Sequence, residues 1–298
     1  MPDPTATVTE VAGRRLRLTH LDRVLYPGSG FTKAAMLHYY TRVAPAMLPH
    51  LAGRPASFLR LPEGVTGQQF WAKRVPPGSP AWVPRLAVTH RQETMPQVVV
   101  GDLPTLLWAA NLGCLEIHVP QWRERPRTHD RLIIDLDPGE GAGLLECCVV
   151  ALTARELLAA DGLTAWPKTT GSKGLHLTVA LVETPADRVS DYARELARRL
   201  RRALPELVVD QMAKQLRPGR VFVDWSQNNS AKTTAAAYSL RARPEPSVSA
   251  PLDWPELAAC RRPEELVFTP EAVAGRVAAD GDPHAALTDP AAAGTLPG

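Results

Sequence analysis

The sequence predicts an α/β fold in which mixed central sheets are flanked by helices. Two observations carry that expectation. Apolar segments of period two, such as 115–119 and 131–137, alternate with helical patterns of period 3.6, such as 186–203 with Tyr192, Leu196 and Leu200 on one face. Composition agrees with them: 45% of the 298 residues are hydrophobic and 22% charged, the balance of a chain that buries a core, which excludes a fibre and wholesale disorder.

The elements follow in order. Residues 14–26 read as a short alternating strand and a turn, closed by Pro27-Gly28-Ser29-Gly30. Thr32 then caps a helix whose apolar face uses Met36, Leu37, Tyr40 and Val43, with Pro45 and Pro49 expected to limit its length. The stretch 53–90 is rich in Pro and Gly and reads as loops, in which the adjacent aromatics Phe70 and Trp71 need a partner. A helix over 103–112 leads into the strand 115–119. The strand 131–137 ends in carboxylates before the turn Pro138-Gly139-Glu140-Gly141, and a helix follows over 143–160. Strands at 163–166 and 175–182 flank a polar loop, and the Arg-rich helix to about 203 precedes a last strand at 221–225. At about 150 residues per domain the length allows two lobes or one large domain. The expected layout is a catalytic domain over 1–270 and a flexible, Ala/Gly/Pro-rich tail over 271–298, which lacks aromatics to bury.

No run of about 18 apolar residues occurs, so no membrane partner is expected. The opening Met1-Pro2-Asp3-Pro4 lacks the basic-then-apolar pattern of a secretion signal, from which a cytoplasmic location is expected. Cys114, Cys147, Cys148 and Cys260 form no zinc-type spacing with His, and neither disulfides nor structural zinc are expected. The net charge is only +3, with 28 Arg against 6 Lys. Arg richness is by itself a compositional trait, yet the scarcity of Lys makes the position of each one informative.

Three carboxylates carry the chemistry. Asp135 and Asp137 lie two apart on one strand, so both point to the same face. Like charges this close call for a divalent cation, and hard oxygen ligands suit Mg²⁺ or Mn²⁺. Asp224 ends another apolar strand and supplies the third anion of a two-cation site for in-line phosphoryl displacement. Taken singly, the D-x-D pair also reads as a solvated turn and Asp224 as a cap for the loop after it. Gly171-Ser172-Lys173-Gly174 offers backbone N–H groups and a cation, the parts of an anion nest. It lacks the spacing of a Walker loop. His176 alternates with Leu175 and Leu177, which places it on the polar face of its strand.

In order, the motifs Leu115-Glu116-Ile117-His118-Val119-Pro120-Gln121-Trp122, Asp135-Leu136-Asp137-Pro138-Gly139, Lys168-Thr169-Thr170-Gly171-Ser172-Lys173-Gly174-Leu175-His176, Val223-Asp224-Trp225-Ser226-Gln227-Asn228, Lys232-Thr233-Thr234 and Tyr238-Ser239-Leu240-Arg241 resemble the polymerase module of bacterial non-homologous end-joining ligase D. That module is a primase-polymerase of the archaeo-eukaryotic primase superfamily, and the likeness spans about 10 to 265. The resemblance implies a primase-like fold. It also implies a nucleotidyltransferase that extends primers at gapped or broken DNA, preferring ribonucleotides, with NTP or dNTP as substrate and Mn²⁺ (or Mg²⁺), two ions, as cofactor.

By the same matching, Asp135, Asp137 and Asp224 are the metal-binding catalytic carboxylates. His118, Thr170, Ser172, Lys173, His176, Gln227 and Arg241 line the nucleotide. Arg23 and Lys33 clasp a downstream 5′-phosphate, so that the part up to about residue 100 serves that grip. Phe70 and Trp71 stack on bases, and Arg217 contacts DNA. The expected partners are DNA ends and the end-binding protein Ku, at the nucleoid. No K-x-D-G motif of a ligase's adenylated lysine occurs, so sealing is expected from a separate or fused ligase, and a stand-alone actinobacterial-type member fits that reading.

Several departures stand out. Phe58-Leu59 replace a basic pair before Arg60, which removes a triphosphate contact unless Arg60 supplies it. Arg23 stands for the usual Lys, Trp71 for Phe and Thr170 for Ser, swaps that keep charge, ring or hydroxyl. A non-catalytic DNA-end-binding module and a metal-dependent nuclease are the rival readings.

Overall fold

The computed structural model describes residues 6–90 and 93–298; Met1-Pro2-Asp3-Pro4 lies outside them. Six helices occur among the described residues: α1 (Lys33–Leu51), α2 (Leu103–Asn111), α3 (Leu144–Ala160), α4 (Ala186–Ala203), α5 (Trp254–Ala259) and α6 (Pro270–Asp280). The chain divides into two compact units, one of the two layouts its length allows. One comprises Met1–Val119, Ala235–Val248 and Thr269–Gly281; the other comprises Pro120–Thr234, Ser249–Phe268 and Asp282–Gly298. Because the chain returns twice to the first unit, no linker composition marks the division.

In the first unit the strands Cys114–Val119, Ser57–Arg60 and Phe70–Ala72 lie side by side in that order, all antiparallel. The stretch read as loops thus contributes strands, because each is short and its apolar residues are interrupted by turn formers. Helix α1 begins where expected, with Thr32 Oγ1 accepting the Ala35 N–H at 3.2 Å. It then continues through both Pro45 and Pro49 instead of stopping. Each proline forfeits a backbone bond at a cost of about 3 kcal/mol. Burial of Met36, Tyr39, Tyr40, Val43, Met47 and Leu51, at roughly 1.5–3 kcal/mol per large side chain, outweighs that loss.

The second unit is built on a five-stranded sheet in the order Ala165–Thr169, Leu175–Pro185, Thr128–Pro138, Val221–Val223, Val208–Val209. Only the last pair is parallel. Helix α4 buries Val189, Ala193, Leu196, Ala197 and Leu200; of the expected stripe Leu196 and Leu200 are buried, while Tyr192 is half-buried with its hydroxyl donating to Asp161 at 2.6 Å. The expected last strand ends at Val223, and Trp225 already belongs to a 3₁₀ turn, Trp225–Asn228.

Residues 271–298 are not the structureless tail that composition suggested. Helix α6 starts at a Thr269 cap and buries Val273 and Ala274 in the first unit, where Glu271 pairs with Arg42 of α1 at 2.7 Å. In the second unit Gly294 bridges Leu181, Leu287 and Leu296 are buried, and His284 donates to the Pro167 carbonyl at 2.7 Å. Small residues let the backbone approach closely, and a few aliphatic side chains then suffice. A reading by composition averages those few away.

Candidate active site

The second unit gathers the three aspartates at adjoining strand ends. Within the sheet Lys168 pairs with His176 and His176 with Asp135, so the three share one face in a row across the strands. Asp224 enters that row through its backbone, its N–H donating to the Asp135 carbonyl at 2.9 Å. What fixes the turn after Asp224 is Asn228, fully buried, whose side chain accepts from the Ile133 N–H at 2.9 Å and donates to the Ile133 carbonyl at 2.8 Å. It replaces a neighbouring strand at that point. Gln227 is thereby brought to Asp135, Nε2 to Oδ2 at 3.1 Å.

Each aspartate has a different environment. Asp135 is well buried, which would raise its pKa; the adjacent His176 charge and the hydrogen bonds from His176 and Gln227 outweigh burial and hold it below the usual carboxylate range. Asp137 is shifted the other way, by burial first and then by the charge of Asp135, with Asp224 adding to the effect against Arg217 and Lys173. Asp224 caps the 3₁₀ turn, accepting the Ser226 N–H at 3.0 Å, and Lys232 lies 3.4 Å from its other oxygen. Asp224 thus caps the turn after it, the plainer of the two readings its position offered, while lying close enough to act on Asp137.

Two glycines let other chain segments reach this cluster. A Cβ on Gly174 would fall 2.0 Å from the carbonyl of Leu136, the residue between Asp135 and Asp137. A Cβ on Gly139 would fall 2.0 Å from the carbonyl of Arg217. The first presses the 171–174 loop onto the aspartate strand. There Thr170 Oγ1 accepts the N–H groups of Ser172 at 3.2 Å and Gly174 at 3.3 Å, so this hydroxyl shapes the loop, while Lys173 stays exposed with its charge acting on Asp137. The second brings Arg217 to Asp137 at 3.4 Å, its guanidinium 3.8 Å from the Phe222 ring centroid.

The donor set suits a hard divalent cation: three carboxylates, one of them destabilised as an anion by burial and by the other two. They do not close into a finished cage, for among the described residues no three of His, Cys, Asp and Glu are arranged as a metal-binding group. Protein cations, Arg217 and Lys232, hold two of the carboxylates instead.

The other predicted residues lie in the first unit, in two clusters. His118, Arg241 and Trp71 meet around Glu116, a residue to which the sequence reading gave no role. Glu116 Oε2 lies 2.6 Å from His118 Nε2 and 3.1 Å from Arg241 Nε, and Oε1 accepts the Ala242 N–H at 2.7 Å. Burial would raise its pKa, but the His118 hydrogen bond and the Arg241 charge bring it down to about 2. The signal available in the sequence was a lone acid in an otherwise apolar strand, one period before His118. Trp71 meets the His118 ring edge-on, centroids 4.8 Å apart, and is 56% exposed.

Register settles the two departures in this region. Leu59 pairs with both Trp71 and Glu116, so it sits on their face where the resemblance expects a cation. Arg60 pairs with Phe70 and spends its guanidinium on the Leu112 carbonyl, at 2.8 and 3.0 Å, and on the Phe70 ring. As placed, Arg60 does not replace the missing basic residue.

The second cluster joins Arg23 and Lys33. Lys33 opens α1 and is nearly buried, its Nζ donating to the Thr19 carbonyl at 2.6 Å; Arg23 donates to the Pro62 carbonyl at 2.8 Å. Among the described residues both charges are met by carbonyls and by no carboxylate within ion-pair distance. Burial and the nearby Arg23 lower the Lys33 pKa to about 8. Two cations thus lie near one another at the N-terminus of α1, where the helix dipole also favours an anion.

A mixed sheet that brings three carboxylates together beside a glycine-bounded cationic loop is the arrangement of a nucleotidyltransferase. Comparison with known proteins agrees. The family model of the LigD primase-polymerase domain matches residues 32–284, and the chain belongs to that family of DNA-repair polymerase domains. It is 45% identical over 250 residues to the multifunctional non-homologous end joining protein LigD of Mycolicibacterium smegmatis, covering 82% of this chain and 32% of that protein. It is 43% identical over 279 residues to LigD of Mycobacterium tuberculosis, covering 90% and 36%. The chain thus spans about a third of the length of these curated relatives. A structure of the polymerase domain of Mycobacterium tuberculosis ligase D in complex with DNA superposes with a TM-score of 0.88 at 42% identity, covering 92% of this chain and 98% of that one. Among the described residues no helix is long and apolar enough to cross a membrane.

Proposed function

We propose that this protein extends a DNA primer strand at short gaps and broken ends, adding ribonucleotides in preference, guided by the 5′-phosphate on the downstream strand. The observation that carries the reading is the meeting of Asp135, Asp137 and Asp224 at adjacent strand ends with Asp137 pushed toward its neutral form. Divalent cations held by these carboxylates, two with Mn²⁺ favoured, would lower the barrier to attack by the primer 3′-hydroxyl on the α-phosphate and stabilise the leaving pyrophosphate.

The chain's own groups do the rest. His176 and Gln227 hold Asp135 in one orientation, and Ser226 does so for Asp224. Lys173 and the Ser172 hydroxyl hold the triphosphate, and Thr170, which accepts the Ser172 and Gly174 N–H groups, keeps that loop in shape. In the first unit His118 and Arg241 contact the nucleotide, Arg23 and Lys33 bind the 5′-phosphate, and Phe70 and Trp71 stack on bases at about 1–3 kcal/mol each. Arg217 contributes a DNA contact. Phosphate contacts of this kind make binding salt-dependent. Ku brings the protein to broken ends at the nucleoid, and a ligase outside this chain seals the product.

Primer extension on a one- to few-nucleotide gap tests the reading. The expected result is Mn²⁺-dependent product, more with NTP than dNTP and more with a downstream 5′-phosphate than without. Folded protein that binds the gap yet extends nothing, or that releases nucleotides without NTP, overturns it.

A further inference from the structure

Glu116 is a costly residue to keep. It is 4% exposed in the strand Cys114–Val119, between Leu115 and Ile117, which are fully buried. A buried ionic triad is seldom more stable than a well-packed apolar side chain of similar volume, because desolvation offsets most of the Coulomb gain. Fold stability is therefore a poor reason for the acid.

Its contacts suggest a better one. A carboxylate only accepts, so His118 Nε2 at 2.6 Å carries the proton of that bond, and the ring's orientation is set. Trp71 closes on the same ring edge-on. Arg241 is held from three directions: its Nε by Glu116 at 3.1 Å, its carbonyl by the Tyr26 hydroxyl at 2.8 Å, and the next N–H, that of Ala242, by Glu116 Oε1 at 2.7 Å. One side chain thereby fixes two others that are separated by over a hundred residues of sequence. Groups immobilised before a ligand arrives lose less entropy on binding it, and so contribute more affinity.

We propose that Glu116 is the positioning residue of the nucleotide contacts, holding His118 and Arg241 in a single orientation, so that it sets affinity for the incoming nucleoside triphosphate and leaves the rate of the chemical step nearly untouched. The inference rests on the proposed function and adds to it a residue that never touches the substrate itself. Leu59 sharpens the argument. With no cation at that position on the same face, Arg241 is the guanidinium that Glu116 binds there, and nucleotide affinity leans on it the more.

The test compares wild type, Glu116→Gln, His118→Ala and the double variant in Mn²⁺-supported extension of a gapped primer over a range of ATP concentrations, with melting temperature and gapped-DNA affinity measured alongside. Glu116→Gln keeps the volume but removes the charge. We expect it to raise KM for ATP about tenfold or more while kcat stays within about threefold and DNA affinity is unchanged. In the His118→Ala background the same change should raise KM far less, since part of what Glu116 positions is already gone. Glu116→Asp should recover part of the loss. An unchanged KM, a fall confined to kcat, or full additivity with His118→Ala overturns the proposal. Wild-type protein that extends nothing defeats the functional reading instead, and the two failures are told apart by that control.

Discussion

The aspartate cluster and the Glu116 cluster are both charged, one with the half-exposed Asp137 in it and the other around a buried acid, and they are built in opposite ways. Around Glu116 the contacts are short, hydrogen bonds at 2.6 and 2.7 Å and an ion pair at 3.1 Å on one carboxylate, and its pKa falls to about 2. Around the aspartates the ion pairs are long: 3.3 Å from His176 to Asp135, 3.4 Å from Arg217 to Asp137 and 3.4 Å from Lys232 to Asp224. There the pKa of Asp137 moves up. Short contacts hold a shape; longer ion pairs, around carboxylates that repel one another, can be exchanged for a ligand. The first cluster is a brace and the second a receiver.

The largest expected effect breaks the receiver. Asp137→Ala should lower extension about 10³-fold or more while DNA affinity is kept, because a transition-state interaction is removed and the phosphate grip is not. Since Asp137 is raised by burial and its neighbours, its ionised form opposes folding at neutral pH. The variant should therefore melt at the same temperature as wild type or higher, whereas Glu116→Gln should melt lower. Thermal scans of both variants check this, and a reversed order would erase the distinction between brace and receiver.

Gly174→Ala comes next. Its Cβ would meet the Leu136 carbonyl at 2.0 Å, so the 171–174 loop must lift from the aspartate strand. Extension should fall by about 10- to 100-fold, and denaturant titration should show a loss of about 1–3 kcal/mol.

A third site, with cations in place of anions, gives the smallest change. Lys33 is depressed to about 8 by burial and by Arg23. The unfolded chain therefore binds more protons than the folded one between about pH 8 and the ordinary lysine value near 10.5, and stability contributed at this site rises with pH across that window. Below it the buried charge costs stability, so Lys33→Met should melt slightly higher than wild type. The preference for a 5′-phosphate should drop severalfold in that variant, and in wild type it should fade as pH rises through about 8. Competition between phosphorylated and unphosphorylated gaps at several pH values measures both.

Much of the receiver was legible in the sequence, because period two on a strand is a strict rule. It placed Asp135 and Asp137 together and put His176 on their face, and Thr32 announced α1 by its capping chemistry. The brace was harder to see. Glu116 meets Arg241 across more than a hundred residues, and no local pattern encodes such a pairing. Propensity also failed where burial overruled it, at Pro45 and Pro49 inside α1. Composition failed over 271–298, where a few aliphatic side chains anchor a segment poor in them. The bounds of the two units were not legible for a topological reason, since Ala235–Val248 and Thr269–Gly281 return to the first unit without any change in composition.

The most direct measurement is a Mn²⁺ titration followed by electron paramagnetic resonance, which separates free from bound ion without requiring turnover. Wild-type protein should bind Mn²⁺, and the Asp135→Ala/Asp137→Ala/Asp224→Ala variant, folded by circular dichroism, should leave the ion free. Equal binding by the two proteins, or none by wild type even with a nucleoside triphosphate present, would contradict the assignment of these three carboxylates as the place where the metal and the chemistry meet.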